Sequence, residues 1–505
     1  MISNGVHVTS ISEERLAKIK YCGNYPKLSI DYCLSAGNVS KEEIDVICIS
    51  SMGPEEFYKK LHQREIERLI KKEFPNAEIK IISHHTCHAA SAIFSSSFDE
   101  CTFLTLDGMG SVAQGYNYLV PLFSETNTLG YFNRSQNIFN IFLGHHTINQ
   151  FGNFYAWSVD IYLKKIKDAN STVSNIHYNL NEESPGKIMG LSAYGNLNNF
   201  NKNDWYVLSN NDFEHIPYIN FTKSRLNRHS ILNAPQTETD NLAWLLQKSF
   251  ESALYDYVEA LVKHKYLRGN VCFAGGSFLN VLANSVIKDS GLIENSHIPP
   301  FTDDCGLHFG AAAWGAWKNN QEIKIPYNIS LMGKEYSTSE IKQALAGCDK
   351  IEYTEYEFNE LAEITAEHLQ SNKIVAWFQG RSEFGPRALG SRSILMNPRP
   401  KENKDILNLR VKHREYWRPF AGIILEEHVG EYFVNSYSSP VSPKNNKGNM
   451  ANASPCLFFI IFSIRNLLPK PGPESLLAIL KPNIVVCLSL DGLISPNTTS
   501  AASNI

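Results

Sequence analysis

His84-His85-Thr86-Cys87-His88 sets two imidazoles four residues apart at the head of an alanine-rich run, Ala89-Ala90-Ser91-Ala92-Ile93. On a helix the rings of His84 and His88 share a face one turn apart. The apolar, threonine-rich run from Cys101 to Leu106 reads as a buried strand, with Asp107 at its carboxyl end ahead of Gly108-Met109-Gly110-Ser111. Open α/β sheets bind ligands at such strand ends. Two imidazoles and a carboxylate without a thiolate cluster suit iron, manganese or zinc. Taken alone, a His-x-x-x-His pair reads equally well as polar helix residues beside a core; the aspartate turns the reading toward a metal-dependent enzyme.

Asp304, in Asp304-Cys305-Gly306, precedes the small-residue run Gly310-Ala311-Ala312-Ala313 much as Asp107 precedes Gly108. Two facing strand-end aspartates would resemble the paired acidic loops of actin-like phosphotransferase folds and close one site with His84 and His88. On residue type alone, a helix cap is the preferred reading of Asp304, and Cys305 and His308 stay outside the site. Ala274-Gly275-Gly276-Ser277-Phe278-Leu279-Asn280, with Asn284 a turn later, offers backbone N–H groups to phosphate and glycines that admit a nucleotide, although a plain strand-to-helix turn is the commoner use of paired glycines. Lys187, inside Gly186 to Gly195, can neutralise phosphate but lacks P-loop spacing. The densest signal is Gln379 to Leu395 followed by Lys412 to Phe420. Arg381, Arg387, Arg392, Arg414, Arg418 and Lys412 lie there among glycine, proline and aromatics. Guanidinium forks bind phosphoryl or carboxylate oxygens bidentately, so this mix reads as an anion pocket. An RNA surface is its competitor; Trp417 and Phe420 read as packing residues.

The elements that must position these groups follow from the surrounding pattern. The chain has 505 residues, enough for two or more domains. Its 47 basic and 51 acidic residues leave a net charge of −4, no footprint for nucleic acid or an anionic membrane. The ten cysteines include no Cys-x-x-Cys and no signal segment opens the sequence, so a cytoplasmic location is expected. The longest apolar run, Leu457 to Phe462, is far short of the roughly 20 residues that span a bilayer. Strand-like runs at Val46 to Ile49, Ile79 to Ile82 and Thr102 to Leu106 alternate with a helical pattern from Glu55 to Phe74. A second α/β block has helices from Asn241 to Lys265 and Phe278 to Ile287 around a strand at Val271 to Ala274. The segment from Arg134 to Thr172, with Tyr155 and Trp157, reads as a surface loop or a pocket lining. After a polar stretch between Glu322 and Glu335, helices at Ser339 to Ala346 and Phe358 to Leu369 lead to a strand at Ile374 to Phe378. Ser, Pro and Asn clusters follow Tyr437. The expected division is 1–325, 335–437 and an atypical, poorly ordered tail at 438–505.

In order, these segments resemble the NodU/CmcH-like carbamoyltransferase family. The resemblance rests on Ser12-Glu13-Glu14-Arg15, the His84/His88 pair, Asp107-Gly108, Gly186 to Gly195, Gly275 to Asn284, Asp304-Cys305-Gly306, Phe384-Gly385-Pro386-Arg387-Ala388-Leu389-Gly390 and Arg418-Pro419-Phe420, and covers roughly residues 5 to 435. It implies an α/β chain with an actin-like (ASKHA), duplicated first domain, similar to enzymes that attach threonylcarbamoyl to tRNA, and a YrdC-like second domain. It implies that the second domain makes carbamoyl adenylate from carbamoyl phosphate and ATP, and that the first passes the carbamoyl group to a hydroxyl of a small metabolite. His84, His88, Asp107 and Asp304 fall on the family's metal ligands, for which iron(II) or a similar divalent ion is implied; ATP enters with magnesium. Lys187, Gly275, Gly276 and Asn280 fall on the adenylate face. Arg387, Arg392, Lys412, Arg414 and Arg418 fall on the segment that cradles ATP and carbamoyl phosphate. The catalytic set so implied is His84, His88, Arg387, Lys412 and Arg418. No nucleic acid or membrane partner is expected, and a homodimer is allowed for. The match begins near the family's Asp-Gly turn, here Asn4-Gly5, so the actin-like sheet is expected to lack its first strand. The family's late segments are not found after Tyr437, so the YrdC-like domain is expected to be partial. A tRNA threonylcarbamoyl-type enzyme and a truncated, non-catalytic nucleotide-binding relative are the alternatives.

Overall fold

The computed structural model describes residues 1–19, 22, 25–50, 56–108, 125–145, 151–155, 158–168, 180–198, 200–210, 217–221, 235, 238–324, 326, 329–347, 353–423 and 488–489. The chain divides into two compact units, Met1–Ile329 with Phe384–Pro386, and Ser330–Glu383 with Arg387–Ile505. Both are mixed α/β.

In the first unit, β1 (Val46–Ser50) and β2 (Glu78–Ile82) pair in parallel, joined by α1 (Glu56–Glu73). The main sheet contains β3 (Glu100–Leu106), β4 (Asn127–Asn133), β5 (Ile138–His145), β6 (Asn270–Ala274) and β7 (Asn295–His297), in the order β7-β6-β3-β4-β5. β3, β6 and β7 run parallel, whereas β3, β4 and β5 form an antiparallel meander. Every residue of β3 after Glu100 is buried, as expected of a central strand covered on both faces. Of the segment from Arg134 to Thr172, expected as a loop or a pocket lining, the meander takes Ile138–His145. Its register shifts between Leu129 and Gly130, where a Cβ would stand 2.1 Å from the Phe103 ring. Phe151–Tyr155 and Ser158–Asp168 follow as helices, and Trp157 lies outside the described residues.

Helix α2 (His84–Ser95) is buried at all twelve positions, and the Ser83 hydroxyl caps it by accepting from the Thr86 N–H. A helix buried all round must meet its neighbours through small side chains. α2 does so against a helix farther along the chain, Leu307–Lys318, where a Cβ on Gly310 would lie 1.9 Å from the Cys87 carbonyl oxygen. Two more helices matter for the site: α3 (Leu180–Leu191) and α4 (Thr239–Lys263). Counting in chain order, Leu307–Lys318 is α5. The aromatic core sets Phe132 edge-on to Phe94 and Trp317, with ring centroids 5.4 and 5.8 Å apart. The helix expected from Phe278 is split into a 3-10 turn, Gly276–Leu279, and a helix, Val281–Ser290, which Asn280 caps by accepting from the Ala283 N–H.

In the second unit, β8 (Val375–Phe378) pairs antiparallel with β9 (Arg392–Leu395) and with Leu488–Ser489. Apart from that last pair, the expected tail at 438–505 lies outside the described residues. Ile374, Met396 and Leu407 form a small core, with a π-helical turn at Leu407–Val411 ahead of Lys412. Among the described residues no helix is long and apolar enough to cross a membrane.

Candidate metal centre and anion pocket

The start of α2, the end of β3 and the turn before α5 bring His84, His88, Asp107 and Asp304 together, with one ligand atom from each within 4.8 Å of every other. His84 Nε2 lies 3.1 Å from His88 Nε2 and 3.1 Å from Asp107 Oδ2. Asp304 Oδ1 stands 3.4 Å from His84 Nε2 and 3.3 Å from His88 Nε2, and Asp107 Oδ2 is 3.5 Å from His88 Nε2. Donors about 2.1 Å from one ion are separated by roughly 3.0 Å in octahedral and roughly 3.4 Å in tetrahedral geometry. The donor spacings therefore fit a coordination shell. Asp304 begins a 3-10 turn whose N-cap is Asp303, so Asp304 is not the cap that residue type alone favours.

Charge supports the same conclusion. Burial would strip the imidazoles of their protons, but Asp107 and Asp304 outweigh it and raise both, His84 to about 10. Burial would likewise neutralise Asp107, yet the two imidazoles hold its carboxyl well below the usual range. A site that pulls protons onto imidazoles is one that a divalent cation stabilises when it displaces them. The side chains of His88, His84 and Asp107 are 0, 11 and 13% exposed, whereas that of Asp304 is 70% exposed, so the set opens on the Asp304 side. His85, between the two, bonds Thr128 Oγ1 at 2.8 Å, and burial pushes it down to about 3.

Gly275 and Gly276 serve this centre directly. The Gly276 N–H donates to Asp107 Oδ1 at 3.0 Å, which turns Oδ2 toward the imidazoles. Gly275 has φ +98°, and a Cβ there would meet the Leu106 carbonyl oxygen at 2.2 Å. By pattern alone the paired glycines read more readily as a plain strand-to-helix turn than as a nucleotide site; their grip on Asp107 is a contact that local pattern does not reveal. Asn280 exchanges both amide bonds with Gln247, at 2.9 Å each, and Gln247 also accepts from Tyr155 Oη at 2.7 Å. Its amide is committed within the fold. Lys187, on α3, is buried and donates to Tyr162 Oη at 3.0 Å, with the ammonium 4.4 Å from that ring's centroid.

In the second unit, Arg387, Lys412, Arg414 and Arg418 form a cationic group. Burial, then the charges of Arg418 and Arg387, push Arg414 down to about 10, and burial and Arg414 together lower Lys412. Arg387 is exposed. Glu415 offsets part of the charge, 3.6 Å from Arg418. An anion relieves the remaining repulsion. Arg392 does not join this group. Its guanidinium donates to the carbonyls of Gln379, Ser391, Lys334 and Gly380 at 2.7 to 3.2 Å and lies 3.5 Å over the Phe378 ring. Arg381 is spent similarly, on the Gly333 and Met332 carbonyls.

Residues 51–313 match the family model described as carbamoyltransferase N-terminus, and residues 366–452 the one described as carbamoyltransferase C-terminus. The chain belongs to the carbamoyltransferase family. It is 28% identical over 465 residues to nodulation protein NolNO of Sinorhizobium fredii, covering 86% of this chain and 63% of that protein. It is 35% identical over 194 residues to nodulation protein U of the same species, covering 38% of this chain and 32% of that protein. The chain thus spans less than two thirds of the length of either relative. A solved structure of full-length HypF in the phosphate- and nucleotide-bound form is similar at a TM-score of 0.33 and 12% identity, covering 59% of this chain and 50% of that one.

Proposed function

We propose that this chain is an ATP- and metal-dependent O-carbamoyltransferase. In this reading the second unit, YrdC-like, converts carbamoyl phosphate, water and ATP to carbamoyl adenylate: water releases phosphate and leaves carbamate, whose oxygen bonds the α-phosphorus of ATP as pyrophosphate leaves. The first unit, actin-like, passes the carbamoyl group to a hydroxyl of a small metabolite: the acceptor oxygen bonds the carbonyl carbon, the bond to the adenylate oxygen breaks and AMP leaves. The observation that carries the reading is the four-donor cluster of His84, His88, Asp107 and Asp304 in a chain of this family. Those residues would hold iron(II), which as a Lewis acid supplies positive charge beside the adenylate phosphate and the acyl oxygen. Arg387, Lys412, Arg414 and Arg418 would bind the phosphates of the substrates, where fixed positive charge stabilises the group in transfer. The net charge of −4 weighs against a tRNA substrate.

The test is release of phosphate and pyrophosphate from carbamoyl phosphate and magnesium ATP by purified protein loaded with iron(II). Pyrophosphate release that requires carbamoyl phosphate and disappears in Arg387→Ala is the expected result. Folded, metal-loaded protein that releases neither product refutes the reading.

A further inference from the structure

Glu383 lies inside the arginine-rich motif but takes no part in the cationic group. Its side chain is 1% exposed, and its Oε1 accepts three backbone N–H bonds, from Leu389 at 2.9 Å, Ser391 at 2.8 Å and Arg392 at 3.0 Å. Backbone amides that converge on one anionic oxygen form a nest, the device by which main chain takes phosphate. Here the chain fills the nest itself. The loop is closed at its neck by the pairing of Phe378 with Arg392, by the Gln379 N–H on the Ser391 carbonyl at 3.0 Å, and by the carbonyls gathered on Arg392. Gly390 holds φ +96°, which turns the flanking amides inward, and its own N–H donates to Ser393 Oγ at 3.1 Å. The other carboxylate oxygen, Oε2, is buried with no partner among the described residues.

We propose that Glu383 is an internal anion that sets the conformation of the Arg387 to Arg392 loop and so positions Arg387 for a phosphoryl group. It is a positioning residue, since its carboxylate bonds the backbone and leaves the ligand to others. Because the nest is already filled, an external phosphate is directed to Arg387, Lys412, Arg414 and Arg418. This second step rests on the reading of those four cations as a phosphate pocket.

The test uses the full chain with Glu383→Ala and Glu383→Gln, amide hydrogen exchange over 387–392, and titration with inorganic phosphate. In Glu383→Ala the amides of Leu389, Ser391 and Arg392 should exchange at least about tenfold faster, with β8 and the rest of β9, Ser393 to Leu395, unchanged. Formate should restore the protection, which general loosening of a core would not allow. Phosphate affinity should fall about tenfold and return with formate, and Glu383→Ala should add nothing in an Arg387→Ala background. Unchanged exchange in both Glu383 variants, or folded Glu383→Ala indifferent to formate, overturns the brace. If Glu383→Ala does not fold, Glu383→Gln decides, because its amide keeps the acceptor but loses the charge. If wild-type protein binds no phosphate, the pocket reading fails, and the positioning of Arg387 with it, while exchange still decides the brace.

Discussion

Gly310→Ala tests whether the close approach of α2 and α5 is what assembles the metal donors. A Cβ at Gly310 would lie 1.9 Å from the Cys87 carbonyl oxygen and 2.9 Å from the Ser91 nitrogen, both backbone atoms that no rotamer change can move. The shortest comfortable C–H···O contact is roughly 3.3 Å, so the two helices must part by about 1.4 Å. His88 follows Cys87 on α2, and Asp304 sits in the turn that leads into α5, so parting the helices stretches the 3.3 Å spacing between their donor atoms. Metal bonds tolerate about 0.2 Å. The alanine should therefore cost about 1–3 kcal/mol of stability as an overpacked core and about 10–100-fold in metal affinity, as for loss of a ligand's support. Urea denaturation and competition against a chromogenic chelator measure the two. Gly315→Ala is the control on the same helix. Its Cβ would meet Cys48 Sγ at 2.2 Å, the end of a side chain that can rotate away, so metal affinity should hold. Wild-type metal affinity in folded Gly310→Ala refutes the reasoning.

Gly276→Ala would set a Cβ 2.9 Å from Asp107 Oδ1 and push the carboxylate out of line; metal affinity should drop about 10–100-fold with little change in melting temperature, and equal losses in both would point to general damage instead. Arg392→Ala strands the Gln379 and Gly380 carbonyls, while those of Ser391 and Lys334 keep a backbone N–H, and it should destabilise the second unit by about 2–4 kcal/mol, whereas Arg387→Ala, at an exposed position, should stay within about 0.5 kcal/mol of wild type; denaturation curves that do not separate the two variants contradict the division of labour between these arginines. Glu73 is held down to about 2, mainly by Lys41, with Tyr25 and Lys27 adding to it against burial. A lowered carboxylate stabilises the fold above its ordinary pKa of 4.5 and loses that contribution as pH falls toward about 2. Glu73→Gln should remove roughly 1 kcal/mol at neutral pH and flatten the acid limb of the stability curve; parallel curves for the two proteins would exclude Glu73 as its source.

The residues that show through in the sequence are those whose roles depend on local period. His84 and His88 share a face because α2 is a helix, and Asp107 ends a strand because Cys101 to Leu106 is uniformly apolar or threonine. β1, β2, α1, α4 and β6 announce themselves in the same way, within a residue or two. What stayed hidden depends on partners far along the chain. β4 carries Asn127, Asn133 and a central Gly130, poor strand formers whose use is to make room for Phe103. Asn280 reads as a free amide until Gln247, 33 positions away, closes on it. Arg392 and Arg387 look alike in the motif, and only the closed loop separates the guanidinium that braces carbonyls from the arginine at an exposed position.

The burial of α2 on every side would also govern how quickly an ion held as proposed exchanges. His84 and His88 cannot fray from a helix with no solvent face, so withdrawing them means opening the core, a rare and slow fluctuation. Asp304, 70% exposed, can swing aside by simple side-chain rotation. For an ion held as proposed, tightness of binding and residence time would then fall to different donors: the buried three would set the former, and the exposed aspartate would act as the gate for the latter.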